Sequence, residues 1–220
     1  VRAILHAADM ARMLKAEAKG SLAEAVAVLR GGGLIAYPSD TVYGLGAAAG
    51  DEQAVARAFA VKGRLSQKAL PLLLADVEDM AALCAEVSPI AKLLAERFWP
   101  GPLTLVLRRS PAFHSAALGG GDNVALRVPD HYFLRELVRA LGEPITGTSA
   151  NRSARPSCRT AYEVRRQLGS AVDLIIDGGP SRVGRESTVV DITGETPKIP
   201  REGAIPRREI ERVVGLVSTA

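Results

Sequence analysis

The sequence predicts a single α/β domain over residues 1–220, built as a twisted, mixed β-sheet flanked by helices. Three observations predict it. Segments with helical spacing alternate with short apolar runs along the whole 220-residue chain. No linker and no internal repeat divides them. Several strand-to-strand steps are too short for a helical crossover, so some neighbouring strands must run antiparallel. A chain this long buries roughly seven-tenths of its unfolded surface, enough for a sizeable core.

Each element has its own reason. After a short strand-like start, Met10–Lys19 and Ser21–Leu29 carry helical spacing, with Ser21 and Glu24 placed as a capping box. Gly31–Gly33 ends the second of these helices. Leu34–Tyr37 is a short apolar run before Pro38 and predicts a strand. Asp51 is a good N-cap for a helix reaching Val61. Leu70–Leu74 is continuously apolar, as a buried strand would be. Val77–Cys84 has helical character, and Ser88 with Pro89 opens a helix that ends near Trp99. Trp99–Pro102 is a rigid turn feeding a strand at Leu103–Leu107. Pro111–Asp122 is rich in small residues and predicts a loop. Val124–Val128 alternates, with Val124, Leu126 and Val128 on one face and Ala125 and Arg127 on the other. Tyr132–Leu141 is a helix closed by Gly142, and Ile145–Thr148 a short strand. Ala161–Leu168 is a helix, Leu174–Ile176, Thr188–Ile192 and Lys198–Pro200 are strands, and Arg208–Val214 is the last helix.

Composition narrows the function classes. Hydrophobic content of 47% and charged content of 24% are ordinary for a soluble globular protein. The formal net charge of +4 fits an anionic ligand but is too mild to imply nucleic-acid binding. Cys84 and Cys158 match no metal or redox spacing, and reduced thiols are expected. The first residues lack the apolar core of a signal peptide, and no long apolar run spans a membrane. A cytoplasmic protein is expected. No GxxxxGK[ST] P-loop, GxSxG elbow or HExxH spacing occurs. Gly44–Gly50 reads GxGxxxG rather than the dinucleotide fingerprint, and the three histidines are scattered. No protein-ligated metal is expected.

What remains is a set of positioned donors. Lys62, Arg64 and Lys68 lie on a loop after a helix, and Arg127 faces away from its strand's apolar side. Ser149, Asn151, Ser153 and Ser157 line a loop after a strand, and Arg201 follows the last strand. Cations with hydroxyls and amides, and no evident acid/base pair, suit phosphates and carboxylates. Such a site acts by alignment and charge stabilisation. Plainer readings stay open at each point: a solvated basic turn, a sheet-edge ion pair for Arg127, turn chemistry for Ser149–Ser157. Tyr37, Tyr43, Phe98 and Trp99 are read as packing residues.

Several blocks in one order resemble the YrdC/Sua5 family, the threonylcarbamoyl-AMP synthases of tRNA modification. They are YPSDTVYGLG at Tyr37–Gly46, KGR at Lys62–Arg64, FWPGPLTLVL, VALRVP, SAN at Ser149–Asn151, DGGP, GRESTVVD and REGAI. The likeness covers about residues 20–205 and resembles the single-domain branch, without a C-terminal Sua5 domain. It implies formation of L-threonylcarbamoyladenylate from L-threonine, bicarbonate and ATP, with release of pyrophosphate. It also implies a YrdC-like fold, and a separate tRNA-modifying threonylcarbamoyl transferase complex that takes the product.

By the same resemblance, Thr41 contacts threonine, Arg127 pairs with its carboxylate, and Gly147 and Ser187 line that pocket. Lys62, Arg64 and Lys68 hold the triphosphate, helped by Asn123, Ser149, Asn151, Ser157 and Arg201. Lys62, Arg64, Ser149 and Asn151 form the catalytic set. Mg2+ is implied through the phosphates rather than a protein cage. The chain departs from the family pattern at Leu65 and Ala69, where proline is usual, and at Ala154, where glycine is frequent. Ser157-Cys158-Arg159 replaces a frequent Ser-Pro-Thr, and Leu73 stands where a polar threonine contact is common. A second reading is a non-catalytic YrdC-like relative that binds double-stranded RNA or ribosome precursors through the basic concave surface; a tRNA or double-stranded RNA contact is a partner expectation of its own.

Overall fold

The computed structural model describes residues 11–63, 65 and 67–219. The strand-like start, and Arg64 and Ser66 of the basic loop, lie outside those residues. The mixed α/β class is as predicted, but the strands form two sheets instead of one. The first runs β1 (Arg12–Lys15), β9 (Leu174–Asp177), β2 (Ile35–Tyr37), β3 (Gly44–Gly46), β8 (Thr148–Ser149). The second runs β12 (Ser218–Thr219), β11 (Lys198–Arg201), β10 (Thr188–Asp191), β5 (Leu103–Arg108), β6 (Asn123–Arg127), β4 (Leu72–Leu73), β7 (Ile145–Thr146). Both mix parallel and antiparallel pairs: β1, β9 and β2 run parallel, while β5 and β6 are antiparallel.

Period-two alternation explains why each sheet can bury both faces. In β9, Leu174 and Ile176 pack with α1 (Ser21–Arg30) and α5 (Tyr132–Leu141), whereas Ile175 joins the larger core on the other side. In the second sheet, Leu103, Leu105 and Leu107 with Val124, Leu126 and Val128 join that larger core. Ala91, Leu94 and Ala95 of α4 (Pro89–Phe98) belong to it too. The intervening residues Thr104, Val106, Asn123, Ala125 and Arg127 are left to line a cavity. One further helix reaches that cavity: α2 (Glu52–Lys62), capped by Asp51 accepting from the Ala54 amide, ends at the lining residue Lys62, while α6 (Ala161–Leu168) lies outside the lining. A short α3 (Met80–Leu83) and a last helix α7 (Arg207–Val214) complete the described helices.

Three further sequence expectations need correction, and one strand was not expected. The helix expected over Met10–Lys19 is instead the edge strand β1, because Met13 and Leu14 pack into cores on opposite sides of the sheet. No capping box forms at Ser21: Gly20 enters the helix with φ 85°, and the Ser21 hydroxyl turns back to donate to the Ala16 carbonyl at 2.8 Å. The strand expected at Ile145–Thr148 is two strands in different sheets, β7 and β8, separated by Gly147. Its Cβ position would meet the Leu73 side chain at 3.0 Å, so the crossing point tolerates little bulk. Finally, Gly44–Gly46 pairs as β3, which its composition conceals. A Cβ at Gly44 would lie 2.2 Å from the Tyr37 ring, so the glycine is there to admit that ring. Both cysteines are free and buried, and burial pushes their thiols up to about 11.

Candidate functional site

Between the two sheets lies a cavity of about 530 Å³, within the range of small-molecule sites. The first sheet contributes Tyr37, Gly44, Thr148 and Ser149, and the second Thr104, Asn123, Arg127 and Arg201. Lys62, Arg127 and Arg201 are the cations among its described lining, and Glu186 is the one carboxylate.

One corner is built around Arg127. Alternation along β6 turns it inward, and it is 7% exposed. Its Nη2 donates to Asp40 Oδ1 at 2.6 Å, Nη1 to Thr41 Oγ1 at 2.9 Å and Nε to the Gly101 carbonyl at 2.9 Å. Ser39, Asp40 and Thr41 follow directly from β2 and are all buried. The guanidinium is thus fixed in place by three acceptors, which leaves two of its five N–H bonds for a ligand carboxylate. The ion pair expected of Arg127 as a plainer reading is present, with Asp40, and the residue also lines the cavity.

A second corner joins the end of α2 to the loop after β8. Lys62 is the last helical residue, and its ammonium donates to the Ser149 carbonyl (2.6 Å), Ser149 Oγ (2.9 Å), the Asn151 carbonyl (3.1 Å) and Asn151 Oδ1 (2.5 Å). Asn151 Nδ2 in turn donates to the carbonyls of Arg152 and Arg155, and Ser153 Oγ to the Lys62 carbonyl. Ala154 closes this loop with φ 62°, the left-handed region that a Cβ disfavours. Ala154→Gly is therefore expected to stabilise the protein by about 0.5–1 kcal/mol, read from the denaturant midpoint.

The third corner is held by Arg201. Its Nε donates to the Ser187 carbonyl at 3.0 Å, Nη2 to Ser187 Oγ at 3.1 Å and Nη1 to Glu186 Oε2 at 2.9 Å. Ser187 Oγ lies 2.8 Å from Thr104 Oγ1, and Ser157 Oγ donates to Glu186 Oε1 at 2.7 Å. Burial lowers the Arg201 pKa, Glu186 opposes that, and nearby Arg127 reinforces it. Two arginines therefore share one cavity.

The structure brings together Thr41, Lys62, Asn123, Arg127, Gly147, Ser149, Asn151, Ser187 and Arg201, all of which line the cavity. Ser157 stands behind the lining, through Glu186. Lys68 is exposed and outside the lining, and Arg64 lies outside the described residues. Asp40 and Glu186 are the site residues that sequence reasoning missed. Each sat inside a motif already singled out, but a search for cation donors passes over carboxylates that orient them. Tyr37 lines the cavity as well, with its hydroxyl donating to the Thr146 carbonyl at 3.0 Å. Burial holds that phenol well above its ordinary pKa, so it stays protonated.

Fold and cavity together define an α/β protein with a cavity between two mixed sheets, lined by three described cations. Residues 27–203 match the Sua5/YciO/YrdC family model, which carries the description "Telomere recombination". The chain belongs to the Sua5/YciO/YrdC family. It is 44% identical over 191 residues to the threonylcarbamoyl-AMP synthase of Pyrococcus abyssi, covering 87% of this chain and 56% of that protein. It is 40% identical over 195 residues to the Bacillus subtilis threonylcarbamoyl-AMP synthase, covering 88% and 56%. The crystal structure of P. abyssi Sua5 complexed with L-threonine superposes with a TM-score of 0.89 at 40% identity, over 96% of this chain and 62% of that one. The chain thus spans a little over half the length of these curated relatives.

Proposed function

We propose that this chain makes L-threonylcarbamoyladenylate from L-threonine, bicarbonate and ATP, releasing pyrophosphate, for N6-threonylcarbamoyladenosine formation in tRNA. The observation that carries this reading is the convergence of a pre-oriented arginine, Arg127, and two phosphate-suited corners, at Lys62 and Arg201, on one cavity. Relatives named as the synthase, and a relative's structure with L-threonine, support it. Threonine's carboxylate would take the two remaining N–H bonds of Arg127, beside Thr41, Gly147 and Ser187. Its amine would combine with bicarbonate to give a carbamate, with loss of water. The carbamate oxygen would then attack the ATP α-phosphorus and expel pyrophosphate. Lys62, Arg64, Ser149 and Asn151 would align the reacting phosphate, with Lys68, Asn123, Ser157 and Arg201 holding the rest of the nucleotide. No side chain needs to act as nucleophile, so positioning and charge stabilisation carry the rate.

Mg2+ fits this donor set only through the phosphates. Among the described residues no three carboxylate, His or Cys groups cluster to hold a metal, and Glu186 is already engaged by Arg201 and Ser157. When bound, the ion would supply neutralisation of phosphate charge. A tRNA-modifying threonylcarbamoyl transferase complex would collect the product, and a tRNA contact would accompany that hand-over. A cytoplasmic location goes with a tRNA-modification role; separately, among the described residues no helix is long and apolar enough to cross a membrane.

Pyrophosphate release from ATP, with L-threonine and bicarbonate each present or omitted, tests the reading. Release that requires both is expected. Release with neither would mark a generic ATP hydrolase. No release with intact ATP binding would favour the RNA-binding relative instead.

A further inference from the structure

Glu186 is the one carboxylate among the described cavity-lining residues, and a carboxylate is out of place where a polyanion binds. Both of its oxygens are occupied, Oε1 by the Ser157 hydroxyl and Oε2 by Arg201 Nη1. Those partners are among the groups assigned above to the nucleotide. The Glu186 backbone is fixed as well: its carbonyl accepts from the Ala204 amide at 2.9 Å, and a Cβ at Gly203 would come within 2.3 Å of that same oxygen. The side chain has solvent on one side, with its ion pair 37% exposed at the glutamate and 44% at Arg201. It is thus anchored at the backbone, with its tip partly open to solvent.

We propose that Glu186 is a resident counter-anion: it holds Arg201 and Ser157 in position while the cavity is empty and yields them to a phosphate of the bound nucleotide. Without such a partner Arg201 would keep its two bonds to Ser187 but lose the anion that offsets its repulsion from Arg127 across the cavity. The incoming phosphate brings more charge than the carboxylate and takes its place on the same donors. Glu186 is then a positioning residue, and it sets ATP affinity by competition as well as by order. The inference rests on the reading of this cavity as an ATP site.

The sign of a charge-neutral substitution tests it. Glu186→Gln can keep an oxygen for Arg201 while its amide N–H faces the Ser157 hydroxyl, which can turn to accept, and it removes the competing charge, so ATP should bind about two- to fivefold more tightly by calorimetry, the range of a partly exposed ion pair. The gain should shrink as ionic strength rises, which a merely structural role would not produce. Glu186→Ala leaves Arg201 only its bonds to Ser187 and Ser157 without its acceptor, and should bind ATP more weakly than Glu186→Gln. Unchanged or weaker ATP binding by Glu186→Gln, beside a wild type that binds ATP, overturns the counter-anion role alone. A wild type with no ATP affinity removes the nucleotide reading and this inference with it.

Discussion

Replacing Arg127 by alanine is expected to cost about 3–5 kcal/mol of folding stability, the range for breaking a buried ion pair. It should also raise the L-threonine KM by about 30-fold or more, as truncating a buried charge partner does. The stability loss follows from Asp40. That carboxylate is 2% exposed, its Oδ1 accepts from Arg127, and its Oδ2 has no partner among the described residues. Removing the guanidinium leaves a buried charge with neither oxygen satisfied. Arg127→Lys separates the two effects: a point cation can still face Asp40, but it cannot bridge Asp40, Thr41 and the Gly101 carbonyl while presenting a fork to a carboxylate. The lysine variant should fold with a smaller loss and still bind threonine poorly, with ATP affinity near the wild-type value. A lysine variant whose ATP affinity falls while threonine binding holds would move Arg127 out of the amino-acid corner.

Lys62→Ala is expected to lower adenylate synthesis by about 100- to 1000-fold, the scale set by loss of one preorganised electrostatic donor. The ammonium gathers two carbonyls, a hydroxyl and an amide oxygen from the loop at Ser149–Asn151. Its loss leaves buried acceptors unsatisfied, at about 1–3 kcal/mol each, and frees the loop from the end of α2. Lys62→Arg should fail to rescue, because a planar guanidinium cannot satisfy four acceptors gathered round a single nitrogen. Steady-state pyrophosphate release with a parallel denaturation curve distinguishes lost chemistry from lost structure. Near-normal turnover in either variant would remove Lys62 from the catalytic set.

Much of this was legible in the sequence, for identifiable reasons. The strict alternation at Val124–Val128 gave both the buried face and the inward turn of Arg127, and the strand structure agrees. Helices with side-chain caps were readable from single residues, as at Asp51 and Ser88. What escaped was non-local. β3 contains two glycines, and its pairing depends on Tyr37 filling the space that their missing side chains leave. β1 has too few residues for its period to overrule the helical spacing around it. The chain passes between the two sheets three times, from β3 to β4, from β7 to β8 across Gly147, and from β9 to β10, and no local pattern marks these passages. At the site, cations announced themselves by type, whereas Asp40 and Glu186 matter through partners 87 and 15 residues away.

The central claim is that one cavity joins an amino acid, bicarbonate and ATP. Transfer of isotopic label from bicarbonate into an adenylate tests it most directly, with the product separated by chromatography and its mass determined. A labelled nucleotide whose mass includes threonine is expected, formed one-for-one with pyrophosphate and absent when L-threonine is omitted. ATP turnover that leaves no label in any nucleotide, or labelling that proceeds without threonine, would contradict it.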